Sequence, residues 1–165
     1  MNVLFLTLVE MGSIESRGIY QDLLRKFRNE GHDVTIVSPV ERRKRVSTHF
    51  KEEQGVSMLR VRTFNIQKAN VVEKAIGTLA IEYQFLFAIK KFLNNKKFDL
   101  ILYSTPPITF AKVVEYIKRR DDASIYLLLK DIFPQNAVDM GMLKPRGVLY
   151  KQFRKKERRL YQLSD

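Results

Sequence analysis

Short apolar runs alternate along this chain with longer amphipathic stretches, and that rhythm limits the folds open to it. Val3 to Val9 is continuously apolar, the pattern of a central parallel strand covered on both faces. A helical stretch from Arg17 to Glu30 follows, with Ile19, Leu23, Leu24 and Phe27 on one face and Gly31 placed to stop it. Val34–Val37 reads as the second strand, ended by Ser38-Pro39, and Val56–Phe64 as a third, more exposed one. The charged, aperiodic stretch Glu41–Gln54 reads as a mobile loop. Further on come a long helix over Val72–Leu93, a strand at Asp99–Tyr103, a helix over Ile108–Arg119, a strand at Ser124–Leu129 and a basic helix over Val148–Leu163. Strands separated by helices require crossover connections. The pattern therefore predicts one α/β domain, a three-layer Rossmann-like sandwich around a mostly parallel, doubly wound sheet.

Several function classes fall away on composition. The chain has no cysteine, which excludes disulfide frameworks, thiolate metal sites and thiol nucleophiles. Its first residues, Met1-Asn2-Val3-Leu4-Phe5-Leu6, lack the basic start and small-residue cleavage site of a signal peptide. The longest apolar stretch, Ala75 to Ile89, contains Glu82 and Gln84 and is shorter than the roughly 20 residues a membrane span needs. The net charge of +12 predicts attraction to polyanions or anionic surfaces and says nothing of the fold.

In a doubly wound sheet, ligands sit beyond the carboxyl ends of the strands, near the point where strand order reverses. Three segments are predicted to line that crevice: Glu10–Ser16, Ser104–Pro107 and Lys130–Asn136. The first holds Gly12 and Ser13 but neither glycine-rich phosphate motif. Its backbone N–H groups could receive a hydroxyl or phosphate, or the segment could be a plain strand-to-helix turn. Arg17 could pair with a phosphate or sit solvated on the surface. Ser104 and Thr105 could donate hydrogen bonds to an acceptor, or Thr105 could cap the next helix. Asp131, directly after an apolar strand and followed by Ile132, Phe133 and Pro134, is a carboxylate fixed at the sheet edge. It could serve as a general base, orient a sugar hydroxyl, or cap a turn. Asp121-Asp122 lies in a turn away from these segments, and His32 and His49 stand alone, so no divalent-metal site is expected.

The segment D-I-F-P-Q-N-A-V-D-M-G-M-L-K (Asp131–Lys144) resembles the "D-L-W-P-E-S" stretch of family 4 glycosyltransferases that build bacterial capsule and O-antigen polysaccharide. G-H-D-V-T-I-V at Gly31–Val37, G-V-S-M-L-R-V at Gly55–Val61 and F-D-L-I-L-Y-S-T-P-P at Phe98–Pro107 are similar to that family's second, third and fourth strand segments. The ending R-R-L-Y-Q-L-S-D resembles the helix before its interdomain crossing. The matches run in order over nearly the whole chain. Two positions depart from the family pattern: Met11-Gly12-Ser13 stands where a Gly-Gly pair is usual, and Phe133 replaces a Trp, losing an indole N–H donor.

The resemblance implies that residues 1–165 form the acceptor-binding, N-terminal half of a two-domain GT-B enzyme. The nucleotide-sugar donor would be held by a C-terminal domain that this chain does not contain. It implies a retaining, metal-independent hexosyl transfer onto a saccharide acceptor linked to a polyprenyl diphosphate. Asp131 would act at the reacting hydroxyl, with Gly12, Ser13, Arg17, Ser104, Thr105 and Phe133 around the acceptor. The fragment alone would be inactive. A lipid-linked acceptor calls for a cytoplasmic enzyme held peripherally at the inner face of the membrane. Arg42, Arg43, Lys44 and Arg45, with the apolar long helix, are the expected contacts to anionic lipid. Two other classes compete on the residues themselves. One is a nucleic-acid-binding module, suggested by charge alone, with no recognition motif to support it. The other is a receiver-like phosphoacceptor domain using Asp131, which would need more carboxylates after the first strand than Glu10.

Overall fold

The computed structural model describes residues 1–65, 71–104 and 108–165, with side chains described throughout these except at 71–79 and 108. Six strands form one sheet: β1 (Asn2–Leu6), β2 (Asp33–Glu41), β3 (His49–Glu53), β4 (Val56–Thr63), β5 (Leu100–Ser104) and β6 (Ser124–Leu128). Their order is β3-β4-β2-β1-β5-β6, so β1 is central and strand order reverses between β1 and β5. Every pairing is parallel except that of β3 with β4. The sequence pattern anticipated this α/β architecture, including the place of the first strand.

The connections decide which face each helix covers. Right-handed crossovers going one way along the sheet place their helices on one face, and those going the other way on the opposite face. Thus α1 (Ile19–Asn29), between β1 and β2, lies on one side. The helices α2 (Val71–Phe92) and α3 (Ala111–Asp121), between β4 and β6, lie on the other with α5 (Val148–Leu163). Alternate strand residues serve the two cores. Leu4, Leu6, Val37, Leu59, Ile101 and Tyr103 pack under α2, α3 and α5. Val3, Phe5, Val34, Ile36, Met58 and Leu102 pack under α1. The apolar side of α2 (Ile81, Phe85, Ala88, Ile89) is buried against the sheet, leaving Tyr83 and Phe87 outside.

One helix cannot cover its whole face of the sheet. The β2–β4 connection is a hairpin rather than a helix, so β4 receives no helix of its own on the α1 side. Met11 and Ile14, 2% and 1% exposed, fill that space beside Val56 and Met58. Burying an aliphatic side chain of this size contributes about 1.5–3 kcal/mol.

Three expectations are corrected. Glu41–Gln54 is not a mobile loop: a 3-10 turn at Arg42–Lys44 leads into β3, which pairs with β4 through a two-residue turn at Gln54-Gly55. Both turn residues have positive φ, +52° and +75°, the geometry that matches hairpin twist. Nor does Ser38-Pro39 end β2. Val37 accepts from Thr7 N–H on the β1 side, so Pro39, two residues on, turns its missing N–H to the same side, where β1 has already ended. Finally, β4 is largely buried rather than exposed, because β3 shields its outer edge and residues on both its faces are covered. At the other end of the chain, α5 begins and ends where the sequence pattern places it.

Candidate functional site

The carboxyl ends of β1 and β5, where strand order reverses, carry a small polar constellation. Ser104 ends β5 and is 7% exposed, and its hydroxyl lies 2.6 Å from that of Tyr20 in the first turn of α1. Tyr20 is held in turn by Phe5 of β1, ring centroids 5.1 Å apart. The Lys130 ammonium, just past β6, stands 4.1 Å above the Tyr20 ring. Cation, ring and hydroxyl pair thus join the ends of β1, β5 and β6 to the start of α1. The helix N-terminus adds its own partial positive charge. Arg17, exposed just before it, has no hydrogen-bond or ion-pair partner among the described residues. Asp131 lies exposed beside Lys130.

Beside this constellation, at the ends of β1, β2 and β4, is a cavity of about 160 Å³ lined by Glu10, Pro39, Glu41, Arg43, Lys44 and Thr63, among others. Its charges cancel in pairs: Glu10 with Lys44 at 2.7 Å, and Glu41 with Arg43 at 2.6 Å. Thr63 is 1% exposed and its hydroxyl has no hydrogen-bond partner among the described residues. A neutral molecule rich in hydroxyls suits such a lining, because it can donate to carboxylates and accept from ammonium and guanidinium groups. Glu10 is the carboxylate that a receiver-like site after β1 would need, and here it is paired.

The structure divides the residues that the sequence grouped together. Ser104 and Lys130–Asp131 meet near α1 and Arg17, at the carboxyl edge. Thr105 lies outside the described residues. Ser13 is taken to the other end of the sheet: its hydroxyl donates to Gln54 Oε1 (2.9 Å), which also accepts from Ile14 N–H (3.2 Å). Gln54 precedes β4, so roughly four residues of strand rise, on the order of 13 Å, separate Ser13 from the crevice. Two arginines of α1 hold the segment there. Arg25 donates to the carbonyls of Ile14 (2.6 Å) and Ser16 (2.8 Å). Arg28 bonds Glu15 (2.6 Å) and the Gln54 carbonyl (2.7 Å), and that partnership holds the Glu15 carboxyl below its usual range. Gly12, between the buried Met11 and Ser13, is exposed, and a Cβ there would meet nothing within 4 Å.

Phe133 is half-buried with its ring 5.3 Å from that of Phe153 of α5, joining the core under α2, α3 and α5. The Arg42–Arg45 cluster is largely occupied as well: Arg43 and Lys44 hold carboxylates, and Arg42 lies 5.8 Å over the Phe64 ring. Sequence reasoning missed Tyr20, Arg25 and Arg28. Tyr20's place in the first turn of a crevice-side helix was the available signal for it. Nothing local marks the two arginines as clamps.

No protein-family model matches this chain, and no curated protein matches it. Among solved structures, one described as trehalose-6-phosphate from E. coli bound with UDP-2-fluoro glucose superimposes with a TM-score of 0.54 at 9% identity. The match covers 81% of this chain and 34% of that one, so this chain spans about a third of its structural neighbour. The fold is that of a Rossmann-like GT-B domain. At this identity the likeness establishes architecture, and the chemistry must be argued from the residues.

Proposed function

We propose that this chain is the acceptor-binding half of a glycosyltransferase, completed by a nucleotide-sugar-binding half on another domain or chain. The observation that carries the reading is the character of the carboxyl edge. Large apolar side chains stand in water around its polar centre: Val9 after β1, Ile19 at the start of α1, and Leu129 and Ile132 after β6, each more than half exposed. A polar crevice rimmed by uncovered apolar side chains is what one wall of a cleft between two domains presents. The charge-balanced cavity beside it favours a neutral polyol over a bare phosphate, which supports a saccharide as the group received there.

The finer reading rests on the motif resemblance at Asp131–Lys144 and Phe98–Pro107. By it, the transfer is retaining and metal-independent, the acceptor is a lipid-linked saccharide of cell-surface polysaccharide synthesis, and Asp131 orients the attacking hydroxyl. Asp131 and Lys130 lie side by side at the edge where such a hydroxyl would arrive. Asp131→Asn keeps the shape and removes the charge, so in the complete enzyme it should lower turnover at least tenfold with folding intact. Turnover equal to the parent's would reduce Asp131 to a turn cap, a task Asn performs equally well. The isolated chain tests the assignment of halves. Calorimetric titration with UDP- and GDP-sugars should give no binding tighter than millimolar, and micromolar binding would mean that this is the donor half.

A further inference from the structure

On the opposite flank from the Arg42–Arg45 turn lies a surface that combines unpaired cations with bare aliphatic side chains. Met140, Met142, Val148 and Leu149 are 64%, 69%, 73% and 57% exposed. Met140 and Met142 belong to the compact turn that follows α4 (Gln135–Asp139), and Val148 and Leu149 are the first two residues of α5. Backbone bonds from Met142 and Leu143 to the Ala137 carbonyl fold that turn back on α4, and Tyr150 of α5 bonds Gln135 at 3.1 Å. From Val148 onward, α5 carries Lys151, Lys155, Arg158 and Arg159 at spacings of three, seven, ten and eleven residues. They are all exposed and fall within about a third of the helix circumference. Lys144, Arg146, Lys151, Lys155 and Arg158 make no ion pair among the described residues, unlike Arg43 and Lys44 across the domain. The open groove of about 780 Å³ beside it, between α2, α3 and α5, carries ion pairs instead: Arg119 and Arg159 hold Glu115, and Lys156 holds Glu82.

We infer that this α4–α5 surface docks the protein onto an anionic lipid bilayer, with the methionines, Val148 and Leu149 entering the headgroup region and the α5 cations facing acidic headgroups. The two components together select this partner. Clustered cations with aliphatic side chains among them fit an interface that is charged at its surface and apolar beneath it. A nucleic acid would use the cations, but bare methionine, valine and leucine gain nothing on a phosphate backbone. A second copy of this chain would bring a like-charged stripe against the first. The inference places docking on α5 rather than on the Arg42–Arg45 turn, and it stands independently of the sugar-transfer reading.

The test is co-sedimentation of the chain with phosphatidylcholine vesicles, with and without phosphatidylglycerol, across a salt series. The chain should pellet with the phosphatidylglycerol vesicles alone. Lys155→Glu/Arg158→Glu should weaken binding at least tenfold. Val148→Ser/Leu149→Ser should leave binding at low salt but remove the fraction that survives physiological salt. Arg42→Glu/Arg45→Glu should bind like the parent, and circular dichroism checks that each variant is folded. Absence of binding to the acidic vesicles would overturn the inference, as would equal binding to neutral ones. So would unimpaired binding by the folded α5 variants, or loss confined to the Arg42/Arg45 variant.

Discussion

Replacing Tyr20 by phenylalanine removes one oxygen from the centre of the crevice, and the structure says what that oxygen does. It sits 2.6 Å from the Ser104 hydroxyl, whose residue is 7% exposed at the end of a buried strand. In Tyr20→Phe the serine hydroxyl keeps its burial and loses its partner, which costs about 1–3 kcal/mol. Ser104→Ala is the milder change. It leaves the phenol on the less buried residue of the pair, where water can take the vacated place, and should cost about 1 kcal/mol or less. Removing both oxygens leaves nothing unsatisfied, so the double variant should be more stable than the two losses added together predict. Urea unfolding monitored by circular dichroism measures all four proteins, and the cycle gives the coupling energy directly. A coupling of about 1 kcal/mol is expected. For a chain of this length each kcal/mol moves Tm by roughly 2–4 °C, so the Tyr20→Phe loss is also visible in a melt. Additivity within about 0.5 kcal/mol would refute the argument. It would mean that the start of α1 is held to the sheet by the ring contact of Tyr20 with Phe5 of β1, with the hydroxyls incidental.

Other outcomes follow from single contacts. Burial raises the Tyr103 phenol above its ordinary value near 10, so the unfolded chain loses this proton first. Its contribution to stability is full below that ordinary value and declines as pH rises through the folded one. Denaturant midpoints measured from about pH 8 to about pH 11 should therefore fall less steeply for Tyr103→Phe than for the parent, and parallel curves would refute the assignment. Gly55 has φ of +75°, and a Cβ there would lie 3.1 Å from Arg28 Cδ. Gly55→Ala should cost about 1 kcal/mol or somewhat more in the same unfolding assay. Gly12→Ala, with open space around it, should leave the unfolding midpoint in place. A large loss at Gly12 would show that the Met11–Ile14 segment is packed differently.

How much of this was legible in the sequence depends on what kind of contact placed each residue. Strands buried on both faces declare themselves as apolar runs, which is why Val3–Leu6 and Ile101–Tyr103 could be read with little else. The long helices were equally plain, α5 by its amphipathic period and α2 by an apolar stretch too long for a strand. β3 was hidden because an edge strand need not be apolar: Phe50, Lys51 and Glu52 all face water. Its one local mark is Gln54-Gly55, a turn dipeptide less telling than Asn-Gly. Pro39 misled for a related reason. A proline breaks a ladder only where a neighbour needs its N–H, and where β1 stops cannot be seen from β2. The reversal of strand order beside β1, and with it the carboxyl edge that β1 and β5 share, followed from the pattern and was legible. The contact at its centre was not, because Tyr20 and Ser104 are 84 residues apart and meet only after three crossovers have formed.

The first loop shows how packing can override a functional expectation. A segment leaving β1 toward the crevice is, by topology, the natural place for ligand-binding groups, and Gly12 and Ser13 were read in that light. Its fate is decided by a shortage elsewhere. Because β2 connects to β4 through a hairpin, the α1 face lacks a second helix, and Val56, Met58 and Ile36 would stand uncovered. Met11 and Ile14 meet that need, and the segment must run down the sheet to do so. Arg25, Arg28 and Gln54 then satisfy the backbone and polar groups it brings along. Glu10, which comes before the descent, is the residue of this segment that stays at the carboxyl edge, where it meets Lys44. On the proposed reading, recognition at the carboxyl edge would accordingly fall to α1's first turn, the β5 terminus, Lys130–Asp131 and the Glu10–Glu41 cavity.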